Sequence, residues 1–234
     1  MKTGAISNKD ESVRMFRSDF MEFLSHVHPS VPHLLYIPVV AISLYWSYRG
    51  GIGPGMGVTL FLGGLAVWTF TEYVIHRFAF HVPEEVDDRA KAITASLEPG
   101  EPVLRHLGLR ERAYFLMHGV HHFYPNDSLR LVMVPGVSIP LAGAFYFAFA
   151  GALGSVLGTA MFAGFVTGYL MYDTTHYVVH HHACRGKISA FLKKLHMRHH
   201  YVDPDRDYGV SSPAWDFVWG TWGGKKKSAR ERVA

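Results

Sequence analysis

The chain has 234 residues, of which 49% are hydrophobic and 14% aromatic while only 18% are charged, a balance that leans towards a membrane protein rather than a soluble domain. Its formal charge of +4, from 23 basic and 19 acidic side chains, is too small to point to a nucleic-acid partner, and its meaning depends on where the charges lie. Cys184 is the only cysteine, which excludes an internal disulfide and any zinc site of the multi-cysteine type.

In chain order, residues 1–30 are polar, with neither an apolar core nor a small-residue cleavage site, so they do not read as a cleaved secretory signal. Four apolar stretches follow, at residues 31–48, 55–75, 131–150 and 152–172. Each approaches the ~20 residues that a helix needs to cross a ~30 Å hydrocarbon layer. Pro32, Pro38, Pro135 and Pro140 fall within or beside them, which membrane helices tolerate when neighbours satisfy the freed carbonyls. Short connections after Arg49 and at Gly151 make two tight hairpins. Between the hairpins, residues 82–117 mix charge, Pro and Gly and read as an interfacial segment with short helices.

Lysine and arginine concentrate on one side of this topology: four in the N-terminal segment, seven in residues 76–130 and eleven after Tyr172, with Arg49 alone on the other side. The positive-inside bias places both termini and the central segment in the cytoplasm. The expected architecture is all-α and integral to the membrane: four transmembrane helices in two hairpins beneath a cytoplasmic helical cap. Residues 1–30 are then an N-terminal segment, 31–223 the membrane-embedded domain and 224–234 a basic tail. Trp215, Trp219 and Trp222 precede that tail and suit the headgroup region, as its lysines suit anionic lipid heads.

All histidines but His26, His28, His33 and His106 fall in four segments, HRFAFH (76–81), HGVHH (118–122), HYVVHHH (176–182) and HMRHH (196–200), each on the cytoplasmic side. The four outliers read as interfacial anchors. On a helix, residues three and four apart share a face. His118, His121 and His122 satisfy that rule, as do His196, His199 and His200, and so do His176 and His180. His181 and His182 point away. His76 and His81 are five apart, so either the helix deforms there or the two rings serve different metals. Ten imidazoles suit two first-row ions better than one, and an all-nitrogen set disfavours calcium and magnesium. Glu72, one turn before His76, and Asp173, three residues before His176, are candidates to accept the free ring N–H of a ligand, as are Asn126, Asp127, Tyr201 and Asp203.

The stretches EYVIHRFAFH, MHGVHHFYPNDSLRLVMVP, YDTTHYVVHHH, HMRHHY and YGVSSPAWDFVWGTW resemble the fatty acid hydroxylase family within the sterol desaturase and hydroxylase group, with fatty acid 2-hydroxylases nearest. The likeness covers roughly residues 30 to 223. It implies a non-haem di-iron centre that uses O2 to hydroxylate a lipid acyl chain, at C2 of a fatty acid or of a sphingolipid N-acyl group. Zinc could fill the same cage in purified protein but has no redox chemistry. The implied ligands are His76, His81, His118, His121, His122, His176, His180, His196, His199 and His200, with His181 ambiguous because the third segment offers three adjacent histidines. The substrate is a membrane lipid. With only some thirty polar residues before the first span, electrons are expected from a separate cytochrome b5-like or ferredoxin-like protein. The segment 82–117 looks longer than its family counterpart and would serve as a lid or an entrance. The alternatives are a sterol desaturase or carotenoid ring hydroxylase and, in a different class, a metal transporter, which would need ionisable residues near the middle of its spans.

Overall fold

The computed structural model describes residues 5–223, and the tail at 224–234 lies outside them. Among the described residues the chain is helical with no strand. After α1 (Asp19–Leu24), α2 (Val31–Arg49) and α3 (Pro54–Val74) form the first apolar pair, and α3 runs on into a π-helical turn, Ile75–Phe80. The central segment holds α4 (Glu84–Ala95), a 3-10 turn, α5 (Leu109–Tyr114), a second π turn (Phe115–Gly119) and α6 (Val120–Phe123). Then come α7 (Pro135–Leu153), α8 (Ser155–His181), α9 (Lys187–Tyr201) and α10 (Ala214–Val218).

Four helices are long and apolar enough to cross a membrane, and they come in two lengths. α2 and α7, at 19 residues each, measure ~28 Å, about one hydrocarbon thickness. The continuous segments 54–80 and 155–181, at 27 residues each, measure ~40 Å. The tall pair therefore overshoots the hydrocarbon by about two turns, and those turns carry His76, His176 and His180. The third span starts later than the apolar run beginning at Leu131 implies. Pro135 sits in the first turn of α7, where its missing N–H costs nothing, while Leu131 and Val132 are buried in the preceding turn.

α8 is the central column and packs along α3, α2 and α7, whereas α2 and α3 scarcely touch each other. The second pair, α7 and α8, packs on itself, whereas α2 leans on α8 rather than on α3. Glycines set the arrangement, because small residues let membrane helices approach backbone to backbone. A Cβ added at Gly164 would lie 1.9 Å from the Phe61 carbonyl oxygen, and one at Gly64 would lie 2.0 Å from that of Met161. Around this crossing Tyr36, Trp68, Phe165 and Tyr169 form a buried cluster with edge-on ring contacts of 5.1–5.4 Å. Gly164→Ala should cost roughly 3 kcal/mol or more, since the clash is with backbone rather than a flexible side chain. A thermal melt of the purified protein reads this directly, and an unchanged midpoint would contradict the close crossing.

The cap has its own core of Met15, Ala90, Val103, Tyr114, Phe115 and Phe123. The N-terminal segment belongs to it: the Ile6 amide donates to the Phe123 carbonyl (2.8 Å) and the Val103 amide to that of Arg14 (3.0 Å). Arg130, itself buried, pairs with Glu22 and donates to the Val13 carbonyl.

Candidate metal centre

Ten histidines converge where the tall helices meet the cap, and they divide into two groups of five. His76, His81, His118, His122 and His199 form one; His121, His176, His180, His196 and His200 form the other. Within each group the candidate ligand atoms all lie within 4.8 Å of one another. The groups abut, with His122 and His200 stacked at 4.3 Å between ring centroids.

The division follows helix geometry. Successive residues turn by ~100°, so residues i+3 and i+4 fall on opposite flanks of residue i. Each i, i+4 pair (118/122, 176/180, 196/200) stays in one group, and the i+3 residues His121 and His199 cross to the other. His76 and His81 stand five apart and still share a group, because the π turn between them closes i to i+5 and His81 follows in extended backbone (φ −92°, ψ 138°). The deformed-helix alternative is thus the one the chain adopts.

The donor atoms fit a metal. Nε2–Nε2 separations are 3.1 Å for His76–His118, 3.0 Å for His118–His122, 2.9 Å for His121–His176 and 2.8 Å for His180–His196. Two imidazole nitrogens bound at right angles to one ion, each ~2.1 Å away, lie ~3.0 Å apart. The tautomers agree in the first group: His76 Nδ1–H donates to the Tyr208 carbonyl (2.5 Å) and His199 Nδ1–H to that of Arg206 (2.7 Å), which leaves each Nε2 lone pair facing inward. In the second group Nδ1 of His176, His180, His196 and His200 has no partner among the described residues.

The segment carrying these two carbonyls is held from three sides. Arg198 makes a bidentate pair with Asp207 (2.5 and 2.8 Å), which sits in the left-handed region at φ 57°. Asp216 accepts from the amides of Tyr208 (2.9 Å) and Gly209 (2.8 Å). Glu72 accepts from the amides of Val210 (2.6 Å) and Ser211 (2.8 Å) and from the Ser211 hydroxyl. Glu72 therefore supports His76 through the Tyr208 backbone and does not accept from the ring, since its oxygens are taken by this loop.

The other proposed ring partners also lie elsewhere. Asp173 is buried, but no hydrogen bond joins it to His176, whose ring turns Nε2 towards His121. Asn126 and Tyr201 both donate to Asn8, at 2.7 and 2.8 Å. Asp127 accepts from Ser12 and from the Leu129 amide, and Asp203 accepts from the Asp205 amide and pairs with Arg206. These four secure the N-terminal segment and the turns beside the clusters. His181 stacks on Tyr177 at 4.5 Å, outside both groups. The Arg206 and Tyr208 carbonyls, which do hold ring N–H groups, have no side-chain signature in the sequence.

A cleft of about 170 Å³ reaches both groups, with His81, His122 and His200 in its lining. Its outer wall is α4, through Asp87 and Lys91, and Tyr114 donates to Asp87 across it (2.6 Å). The segment 82–117 thus frames an opening to the histidines.

Burial holds His81, His118, His121, His122, His196 and His200 well below the ordinary imidazole range. Burial also lowers His199 to about 4, opposed by its bond to the Arg206 carbonyl. Neutral rings are the metal-binding form. Because the folded values are depressed, the unfolded chain takes up more protons below pH ~6.5, and stability falls as pH drops through that value. His199 alone accounts for ~3 kcal/mol across the window from about 6.5 to about 4. The metal-free protein should melt at a constant temperature above pH ~7 and progressively lower below ~6.5. A melting temperature that rises on acidification would contradict buried neutral rings.

With this geometry in place, a family model for fatty acid hydroxylases matches residues 61–221, a span that contains all ten histidines. The chain belongs to the fatty acid hydroxylase family. Among its relatives, the "Dihydroceramide fatty acyl 2-hydroxylase FAH1" of Arabidopsis thaliana is 34% identical over 95% of this chain and 85% of its own length. The "Ceramide very long chain fatty acid hydroxylase scs7" of Schizosaccharomyces pombe is 34% identical over 88% of this chain, and the Homo sapiens "Fatty acid 2-hydroxylase" 31% identical over 89%. This chain spans only 54% and 56% of those two proteins. A solved structure described as "Full length scs7p (only hydroxylase domain visible)" superposes with a TM-score of 0.74 at 32% identity, covering 88% of this chain and 70% of that one. The family hydroxylates lipid acyl chains, and the two histidine groups could hold its metal.

Proposed function

We propose that this hydroxylase is an integral-membrane, O2-dependent monooxygenase acting at C2 of a fatty acid or of a sphingolipid N-acyl group, with two iron ions held by its ten clustered histidines. The observation that carries the reading is the pair of abutting five-imidazole groups at the ends of the tall helices. Fully nitrogenous ligation suits iron, copper, nickel and zinc, and of these the hydroxylation needs a redox-active ion, so zinc would bind without turnover. The relatives named for 2-hydroxylation of fatty acids and ceramides support the position of attack.

When bound, the metal pair supplies activation of O2 and cleavage of an unactivated C–H bond. One oxygen atom enters that bond and the other leaves as water, a balance that requires two electrons and two protons from outside the substrate; a separate cytochrome b5-like or ferredoxin-like donor would provide the electrons. The chain's own residues do the positioning. The Tyr208 and Arg206 carbonyls fix the rings of His76 and His199, and burial keeps the imidazoles neutral. The cleft bounded by α4 gives the reacting end of the lipid and O2 access to His81, His122 and His200. Attack at C2 keeps the polar head beside the histidines, while the remaining acyl chain runs towards the apolar helices. The positive-inside bias supports a cytoplasmic cap and cytoplasmic termini.

The test is iron-loaded protein in a bilayer with a reductant and isotopically labelled O2, followed by mass spectrometry of the lipids. The expected product has gained one labelled oxygen at C2. Unsaturated product alone, or no turnover of any acyl lipid, would overturn the proposal.

A further inference from the structure

One side of the cap exposes apolar and basic side chains together, next to a membrane span. α10 packs on α3 within that span: Trp215 and Trp219 lie 5.0 and 5.6 Å from Phe70, and the Trp215 indole N–H donates to Thr69 (3.1 Å). Its outer face leaves Phe217 58%, Val218 66% and Trp219 45% exposed. Trp222 joins this helix to α9, stacking on Phe217 at 4.2 Å and meeting Phe191 at 5.7 Å. On α9, Ile188 is 77% exposed and Phe191 42%. The two short elements make one apolar shelf continuous with the lipid-facing side of α3.

The exposed charge on α9 and the turn before it has one sign. No acidic residue occurs between Asp173 and Asp203, while Arg185, Lys187 and Lys194 are exposed there. Lys187 also borders an open groove of about 560 Å³ between α8 and α9, floored by Val178, Val179 and Leu192 and edged by Ser189 and Thr174. An apolar floor with a basic and hydroxyl rim matches an acyl chain below a phosphate.

We propose that the α9–α10 shelf docks on anionic phospholipid, with Arg185, Lys187 and Lys194 at the headgroup phosphates and Ile188, Phe217, Val218 and Trp219 in the acyl boundary. An acidic carrier protein would also be drawn to these cations, but the interleaved exposed apolar side chains and the packing of α10 against a span favour lipid. The site is separate from the histidine groups and does not require the hydroxylation reading. The shelf meets the metal centre through Asp216, which holds the Tyr208 and Gly209 amides.

Tryptophan quenching tests the proposal in the full-length protein reconstituted in phosphatidylcholine bilayers, with brominated phosphatidylglycerol or brominated phosphatidylcholine added at equal mole fraction. A basic residue near an anionic surface enriches such lipid by up to ~5-fold, so the anionic lipid should quench more, and the excess should shrink as salt rises. In R185Q/K187Q/K194Q the excess should fall by about half or more, while R185K/K187R/K194R, which keeps the charge, should retain it. Equal quenching by the two lipids in the parent protein overturns the proposal. So does an excess that is undiminished in the glutamine variant, and if that variant instead loses reduction by an acidic electron carrier, the basic face serves a protein. Because quenching needs no turnover, an inactive protein that still shows the excess separates failure of the hydroxylase reading from failure of this one.

Discussion

Replacing His199 with alanine should empty one histidine group and leave the other able to bind, and replacing its neighbour His200 should do the reverse. The two residues are adjacent in sequence, yet His199 joins His76, His81, His118 and His122, whereas His200 joins His121, His176, His180 and His196. Each is fully or nearly fully buried. Metal analysis should show about half the parental content in each variant. Hydroxylation should fall by more than ~100-fold in both, since even outer partners of ligating histidines are worth ~10–100-fold. The same split should separate His122→Ala from His121→Ala. If either substitution of an adjacent pair removed all the metal, the histidines would form one shared site and the division into two groups would fail.

Glu72→Ala should be the most damaging change outside the histidines. It strips the acceptor from the buried Val210 amide and from the half-buried Ser211 amide and hydroxyl and releases the loop whose Tyr208 carbonyl orients His76. Donors left unpaired in this loop cost roughly 3–5 kcal/mol together. Glu72→Gln keeps one carbonyl oxygen and should recover about half of that stability. A readout that pure destabilisation would not move is the metal dissociation rate at a temperature where the variant is folded, which should rise more for the ion in the His76 group than for the other. Equal loosening of both ions would show that Glu72 supports the fold alone.

Much of this was legible in the sequence for simple reasons. Apolar runs near the length of a bilayer marked the spans, and histidines three, four and five apart marked the clusters. Sequence proximity did not reveal where the carboxylates and amides beside the clusters make their hydrogen bonds. Glu72 lies one turn from His76, but its carboxylate is committed to residues 210–211, far along the chain. Asn126, Asp127, Tyr201 and Asp203 follow their clusters and instead secure turns and the N-terminal segment. The groups that do hold His76 and His199 are main-chain carbonyls, which every residue possesses and no side chain announces.

The sequence by itself determined how many imidazoles are available, that they sit beside helix ends, and that the helices carrying them are apolar enough for a membrane, because periodicity and hydropathy are local properties of the chain. Only the tertiary structure decided which five rings share a group, that α8 rather than α2 is the main partner of α3, and that π turns bring His81 and His118 into register with His76. Those outcomes depend on backbone approach at Gly64 and Gly164 and on the loop that closes over α3, whose contacts with Glu72 join residues 138 and 139 positions apart.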